Sequence, residues 1–194
     1  MDRRAASPLH LLHTALGLAA LMAATAPLKM LLALDNAEQL AAEEARHFEL
    51  LTARLQALGS AYGELPAHDG LWDAARRTAH DPLLRMALVP RVLEARGLDV
   101  TPGMIARLRQ AGDEETVAAL EVILAEEVGH VATGSRWFAW LCAERGLEPR
   151  ATFRRLLAEH RTAVFPPYNV AARLAGGFDR DELDALAADA AAGR

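Results

Sequence analysis

Several features are scarce in this chain, and each scarcity excludes a class of protein. The only cysteine among the 194 residues is Cys142, so no internal disulfide can form and a structural zinc site built on cysteine ligands is not expected. The sequence contains no glycine-rich phosphate-binding loop and no nucleophile elbow. No useful length of it alternates apolar and polar residues as a β-strand does. An all-α fold is therefore expected.

Excess positive charge is also missing. The formal net charge is −5 and the isoelectric point is near 5.8, so neither nucleic acid in general nor an anionic membrane is an expected partner. A chain of 194 residues with 52% hydrophobic content suffices for one complete core, so we expect a single domain over 1–194. Because nothing requires an oxidising compartment, a cytoplasmic protein is expected.

Acidic residues are absent from the apolar segment near the start of the chain, residues 9–30. The apolar character continues to residue 34, and the residues at 24–26 resemble a signal-peptidase site. Pro27 and Lys29 interrupt the segment before it could span a membrane comfortably. We therefore favour a buried first helix, with a secretory leader or membrane anchor as the alternative.

One five-residue pattern, Glu-Glu-x-x-His, occurs twice, at 43–47 and at 126–130. A carboxylate three residues before an imidazole lies on the same face of a helix, and two such helices facing each other can hold two metal ions. Helix geometry alone leaves both glutamates of each copy open as ligands. Bundle sites usually use the glutamate three before the histidine, which favours Glu44 with His47 and Glu127 with His130. Glu43 and Glu126 then have a supporting or a surface role.

Apolar periodicity and helix-ending residues predict long helices. The predicted helices cover 36–58 with a cap at Asp35 or Asn36, 71–95 with interruptions at Pro82 and Pro90, 103–110 started by Thr101 and Pro102, 113–145 capped by Asp113, 149–160 and 180–191. The two patterns fall on the first and fourth of these helices. This arrangement predicts a helical bundle with short extra helices at its C-terminal end.

A two-metal bundle site needs a further glutamate from each of two other helices. Glu94 is the candidate from the stretch 71–95, although a salt bridge with Arg91 or Arg96 is the alternative reading. The segment 9–30 offers only His10 and His13, and a lone histidine on an apolar helix is more often a core residue. The segment 9–30 therefore lacks a carboxylate that could serve as the sixth ligand.

The chain resembles a bacterial family, the domain of unknown function 455, which is a ferritin-like group. The residues that carry the resemblance are 41–51 (AAEEARHFELL), 66–72 (PAHDGLW), 89–104 (VPRVLEARGLDVTPGM) and 126–138 (EEVGHVATGSRWF). The resemblance covers about 41–180 and implies a ferritin-like four-helix bundle. It also implies that a two-iron or similar centre is held by Glu44, His47, Glu94, Glu127 and His130. The resemblance further implies a diverged first helix over 1–40, in which Ala15 occupies the position of the family's carboxylate if His13 is the equivalent histidine.

A shell of carboxylates and imidazoles suits iron or manganese. The function expected is a di-iron or manganese oxidase or hydroxylase that uses dioxygen or peroxide on an unknown substrate. The alternatives are non-catalytic metal binding and a structural bundle with an incomplete site. A small molecule or a tRNA remains open as the substrate, because the chain distantly resembles tRNA-modifying di-iron hydroxylases, and a homodimer remains open as the assembly. A tRNA substrate requires the arginines between 76 and 109 to gather on one surface.

Overall fold

The structure is a computed structural model, and it describes residues 37–66 and 69–193. Every regular element in these ranges is helical, which confirms the all-α prediction. The elements are α1 (Ala37–Ala57), α2 (Gly70–Arg77), α3 (Pro82–Leu88), a π-helical segment (Val89–Glu94), α4 (Ala95–Gln110), α5 (Glu114–Glu144), α6 (Pro149–Glu159), α7 (Val170–Ala175) and α8 (Arg180–Ala192). None of these helices combines the length and apolar composition needed to cross a bilayer.

Some predictions fall outside the described residues. They are the first helix over 9–34, its histidines His10 and His13, and the cap at Asp35 or Asn36. The described part of the chain divides into two compact units, one within 1–76 and 104–123, the other within 77–103 and 124–194. The ferritin-like four-helix bundle and the single domain over 1–194 remain predictions.

In the first unit, Arg54 of α1 binds the start of α5. Its guanidinium lies 2.8 Å from the Asp113 carboxylate and 2.6 Å from that of Glu115, and its Nε donates to the Thr116 hydroxyl at 2.8 Å. Asp113 also accepts the backbone N–H of Thr116 at 3.0 Å, which is the N-terminal cap predicted for this helix. One arginine thus fixes the capped end of α5 against the buried side of α1, next to Leu55.

In the second unit, α3 starts where the sequence places an interruption. Pro82 occupies the first turn, where no N–H is needed, and Asp81 caps the helix by accepting the Leu83 N–H at 2.9 Å. At Pro90 the chain does not restart but continues as the π-helical segment. The residues from Pro82 to Gln110 therefore form successive helical elements without a loop.

The predicted start of a new helix at 103 is wrong, because α4 already begins at Ala95 and contains Pro102. A proline inside a helix cannot donate to the carbonyl four residues earlier, here that of Leu98. The side-chain amide of Asn169 donates to this carbonyl at 3.2 Å. A tertiary contact thus replaces the bond that Pro102 removes.

Of the C-terminal helices, α6 and α8 confirm the predictions for 149–160 and 180–191, whereas α7 was missed. Its signal in the sequence is Asn169, whose side chain accepts the Ala172 N–H at 3.3 Å. With only six residues, α7 is too short for apolar periodicity to reveal it.

Candidate metal centre

The buried face of α1 begins with two polar residues. Glu44, His47, Leu51 and Leu55 follow helical spacing, and their exposed fractions are 6%, 0%, 1% and 0%. Nδ1 of His47 lies 4.0 Å from Oε2 of Glu44, which is too long for a hydrogen bond. The buried face of α1 thus has a carboxylate and an imidazole next to each other, followed by apolar residues.

The middle of α5 repeats this arrangement. His130 is 3% exposed, and the side chain of Glu127 is 12% exposed. Nδ1 of His130 lies 3.7 Å from Oε2 of Glu127. In both copies of the pattern, the histidine therefore lies beside the glutamate that precedes it by three residues.

The structure brings three of the five predicted ligands together. One ligand atom from each of Glu44, Glu127 and His130 lies within 4.8 Å of those of the other two, so the group could hold a metal ion. In the described residues no such group includes His47 or Glu94. The assignment of these two as ligands remains a prediction.

Glu94 can be placed relative to α5 by contacts within the second unit. Asp81 pairs with Arg145 at 2.7 Å, and a Cβ added to Gly134 would lie 2.3 Å from the Pro90 ring. From Asp81 to Pro90 the chain advances nine residues, while their partners go back eleven residues, from Arg145 at the end of α5 to Gly134. The two helical stretches therefore run antiparallel. Glu94 is four residues after Pro90 and His130 is four residues before Gly134, so continued antiparallel packing would bring Glu94 level with His130.

Glu94 is 4% exposed, as buried as the grouped residues. The alternative reading paired it with Arg91 or Arg96. Arg91 instead pairs with Glu182, and Arg96 lies 3.7 Å from Asp99. Both readings of Glu94, as a metal ligand and as a salt-bridge partner, remain predictions.

The outer carboxylate of the first pattern has more solvent around it than Glu44 does. Glu43 and Glu126 are half-buried, and Glu43 accepts a hydrogen bond from Gln39 at 2.8 Å. Burial thus separates the two glutamates of the first pattern, which helix geometry could not do. It agrees with a supporting rather than a ligating role for Glu43.

Comparison with known proteins identifies the family to which the chain belongs. A family model described as protein of unknown function (DUF455) matches residues 11–184. The chain belongs to this family. An uncharacterized protein of Haemophilus influenzae is 46% identical over 147 residues, which are 75% of this chain and 51% of that protein. The chain thus spans about half the length of this DUF455 relative, and no solved structure matches.

Proposed function

We propose that this DUF455 protein is a ferritin-like metal-binding protein in which Glu44, Glu127 and His130 hold an iron or manganese ion. We further propose that the bound metal serves oxidation or hydroxylation of a small molecule by dioxygen or peroxide. The observation that carries the proposal is the approach of these three ligand atoms to within 4.8 Å in a largely buried place.

Electrostatics supports a cation at this place. Two carboxylate charges within 4.8 Å of each other repel by at least about 3.5 kcal/mol at an effective dielectric constant of 20, before the cost of removing each from water is added. Such a pair calls for a positive counter-charge, either a metal ion or the imidazolium of His130. A divalent ion neutralises both carboxylates of the group at once.

The distances within each pattern also suit metal ligation. Metal bonds to carboxylate oxygen or imidazole nitrogen are about 2.0–2.2 Å long, so two ligands of one ion lie no more than roughly 4.4 Å apart. The separations of 3.7 Å between His130 and Glu127 and 4.0 Å between His47 and Glu44 fall below this limit. Each pattern thus presents an atom pair that one ion could bridge.

The proposal also includes a second metal ion. His47 repeats the geometry of His130. Antiparallel packing of the π-helical segment against α5, extended by one turn beyond Pro90, would bring Glu94 level with His130. With Glu44 and Glu127 as shared ligands, His47 and Glu94 would complete a five-residue shell for two ions. The sixth position would go to water or substrate, because residues 9–30 contain no carboxylate.

The donor set favours particular metals. Carboxylate oxygens with imidazole nitrogens suit iron and manganese, whereas structural zinc sites favour thiolates. Iron with open coordination positions in such a shell supplies dioxygen activation. The protein's own residues would hold the metal in a largely buried pocket and leave a position free for a substrate.

A tRNA substrate is less well supported than a small molecule. Arg85 and Arg91 are buried, and Arg109 is engaged by Glu114 and Glu121 at 3.8 Å and 2.6 Å. These arginines between 76 and 109 therefore do not contribute to a free basic surface. We propose a small molecule as the substrate.

Metal content tests the proposal directly. Protein prepared with iron or manganese available is expected to carry at least one equivalent of metal, and Glu127→Gln is expected to lose it because a neutral amide is a poor ligand. Glu126→Gln, the neighbouring half-buried glutamate, is the matched control and should keep wild-type content. Equal metal in both variants would overturn the site. Dioxygen uptake by the wild-type iron form supplied with an excess of an electron donor, measured against the metal-free protein, separates catalysis from storage, since storage without turnover would give no uptake beyond one stoichiometric oxidation.

A further inference from the structure

Glu94 is carried by an uncommon element. The π-helical segment Val89–Glu94 ends at Glu94, and the N–H of Ala95 donates to the carbonyl of Pro90, five residues earlier. Wide turns of this kind are rare and depend on tertiary contacts to persist. The position of the Glu94 carboxylate therefore depends on what holds this segment in place.

The side chain that holds it is Arg91, which is 4% exposed. Its Nη1 donates to the hydroxyl of Ser135 on α5 at 2.9 Å, and its Nη2 donates to the carboxylate of Glu182 on α8. Ser135 donates in turn to the Gly176 carbonyl at 2.7 Å. One guanidinium thus ties the π-helical segment to two other helices and, through Ser135, to the end of α7.

Three aromatic rings enclose the same guanidinium. Its central carbon lies 5.2 Å from the ring centre of Phe138, 4.6 Å from that of Phe153 and 4.3 Å from that of Phe178. Cation–π contacts of this kind stabilise a charge that has left water. Burial lowers the pKa of the Arg91 guanidinium, and the charge of Glu182 opposes that shift. The guanidinium is therefore held in one orientation by charge, hydrogen bonds and ring contacts together.

These contacts lie next to the proposed ligands. Pro90 packs against Gly134 and Arg91 bonds Ser135, so two successive residues of the π-helical segment meet two successive residues of α5. Glu94 lies about one turn after this double contact along the π-helical segment, and His130 lies about one turn before it along the antiparallel α5, so both lie towards the same end of the contact. A shift or rotation of the segment would therefore move Glu94 relative to His130.

We propose that Arg91, through Glu182 and Ser135, is a positioning residue that fixes the π-helical segment against α5 and so sets the place of the Glu94 carboxylate at the metal centre. The inference rests on the proposed metal binding. Arg91 itself touches no metal. Its effect on the centre is transmitted through the backbone of the segment.

The test uses Co(II) as the probe, because its visible absorption reports the geometry of its ligands. Glu182→Gln keeps the size of the side chain and removes the charge that holds Arg91. Ser135→Ala is a milder variant that leaves the ion pair in place. Asp189→Asn is the matched control. Asp189 lies on α8, as Glu182 does, and its substitution removes an exposed ion pair with Arg154 of α6. Folding of each variant is checked by circular dichroism at the temperature of the titration.

We expect Glu182→Gln and Ser135→Ala to weaken Co(II) binding by about tenfold or more and to change the visible spectrum, as loss of a group that supports a ligand does. Asp189→Asn should stay within about twofold of wild type, since exposed pairs contribute little. If Glu182→Gln does not fold, the outcome for Ser135→Ala decides. Wild-type affinity and spectrum in the folded variants would overturn the inference and leave the proposed function intact. Failure of the wild-type protein to bind Co(II) would overturn both.

Discussion

At the residue scale, Asp81 has two roles at the start of α3: it caps the helix and it pairs with Arg145. Substitutions of this one residue can distinguish the two roles. Its carboxylate accepts the Leu83 N–H at 2.9 Å as a helix cap, and it forms two hydrogen bonds with Arg145, at 2.7 Å and 3.0 Å. The hydrogen bond from Arg145 is the main cause that holds the pKa of Asp81 below its ordinary value. The carboxylate therefore stabilises the folded state as long as it is ionised.

We predict that Asp81→Ala lowers the free energy of unfolding by about 1–2 kcal/mol at pH 7, because both the cap and the ion pair are lost. Asp81→Asn keeps a capping side chain and should cost less than about 1 kcal/mol. The lowered pKa means that this stabilisation is complete above the unfolded value of about 3.9 and is lost as the pH falls through the folded value. Urea denaturation at pH 7 and near pH 3 measures it. Equal losses for the two variants at pH 7 would contradict the capping role.

The sequence alone cannot decide which of two neighbouring glutamates, Glu43 or Glu44, shares the proposed metal-facing side of the helix with His47. Glu43 and Glu44 both lie within about 60° of His47 around a helix, so periodicity leaves both open. Only the surroundings of α1 decide, and they bury Glu44 to 6% exposure while Glu43 remains half-buried. The doubled pattern could thus be found in the sequence, but the ligating member could not be fixed by it.

At the scale of elements, two glycines of α5 provide a matched pair. A Cβ at Gly134 would lie 2.3 Å from both Cβ and Cγ of Pro90, a rigid ring that cannot turn aside. A Cβ at Gly129 would meet nothing within 4 Å. The first glycine therefore permits close approach of the π-helical segment, whereas the second only weakens the helix.

We predict that Gly134→Ala destabilises the protein by about 1–3 kcal/mol, the usual cost of forcing an extra methyl group into a packed contact. Gly129→Ala should stabilise it by about 0.5–1 kcal/mol, because alanine favours the helix. Unfolding free energies from urea titrations of both variants give the comparison. A Gly134→Ala protein as stable as wild type would show that the contact with Pro90 relaxes without cost.

The helices show which element-scale features were predictable. Caps at Asp113 and Asp81 act locally, and the helices that follow them begin as the sequence indicates. Pro102 does not end a helix, because Asn169, distant in sequence, bonds the carbonyl of Leu98 that the proline leaves without its donor. Local rules therefore failed where a long-range contact compensated for the proline.

At the scale of the whole molecule, the proposed ligands come from two helices whose patterns lie 83 positions apart in the sequence. The residues 44, 127 and 130 could be named from one repeated pattern, but their approach to within 4.8 Å is a property of the folded chain. Glu94 could be named as a candidate, whereas the π-helical turn that carries it has no signal in composition or periodicity. The pattern thus predicted three residues that the fold brings together, whereas the tertiary packing that does so lay beyond local reasoning.

If the centre binds metal only in the folded state, metal must stabilise the whole protein. We predict that Mn(II) at 100 times its Kd raises the free energy of unfolding of the wild-type protein by about 2.7 kcal/mol, which corresponds to roughly 5–11 °C in Tm for a chain of this size. Glu127→Gln should show almost no shift, because the folded state has lost a ligand, and Glu126→Gln should shift like wild type. Thermal unfolding with and without Mn(II), followed by a chelator to reverse the effect, measures this linkage. An equal shift in Glu127→Gln would place the stabilising ion elsewhere on the protein.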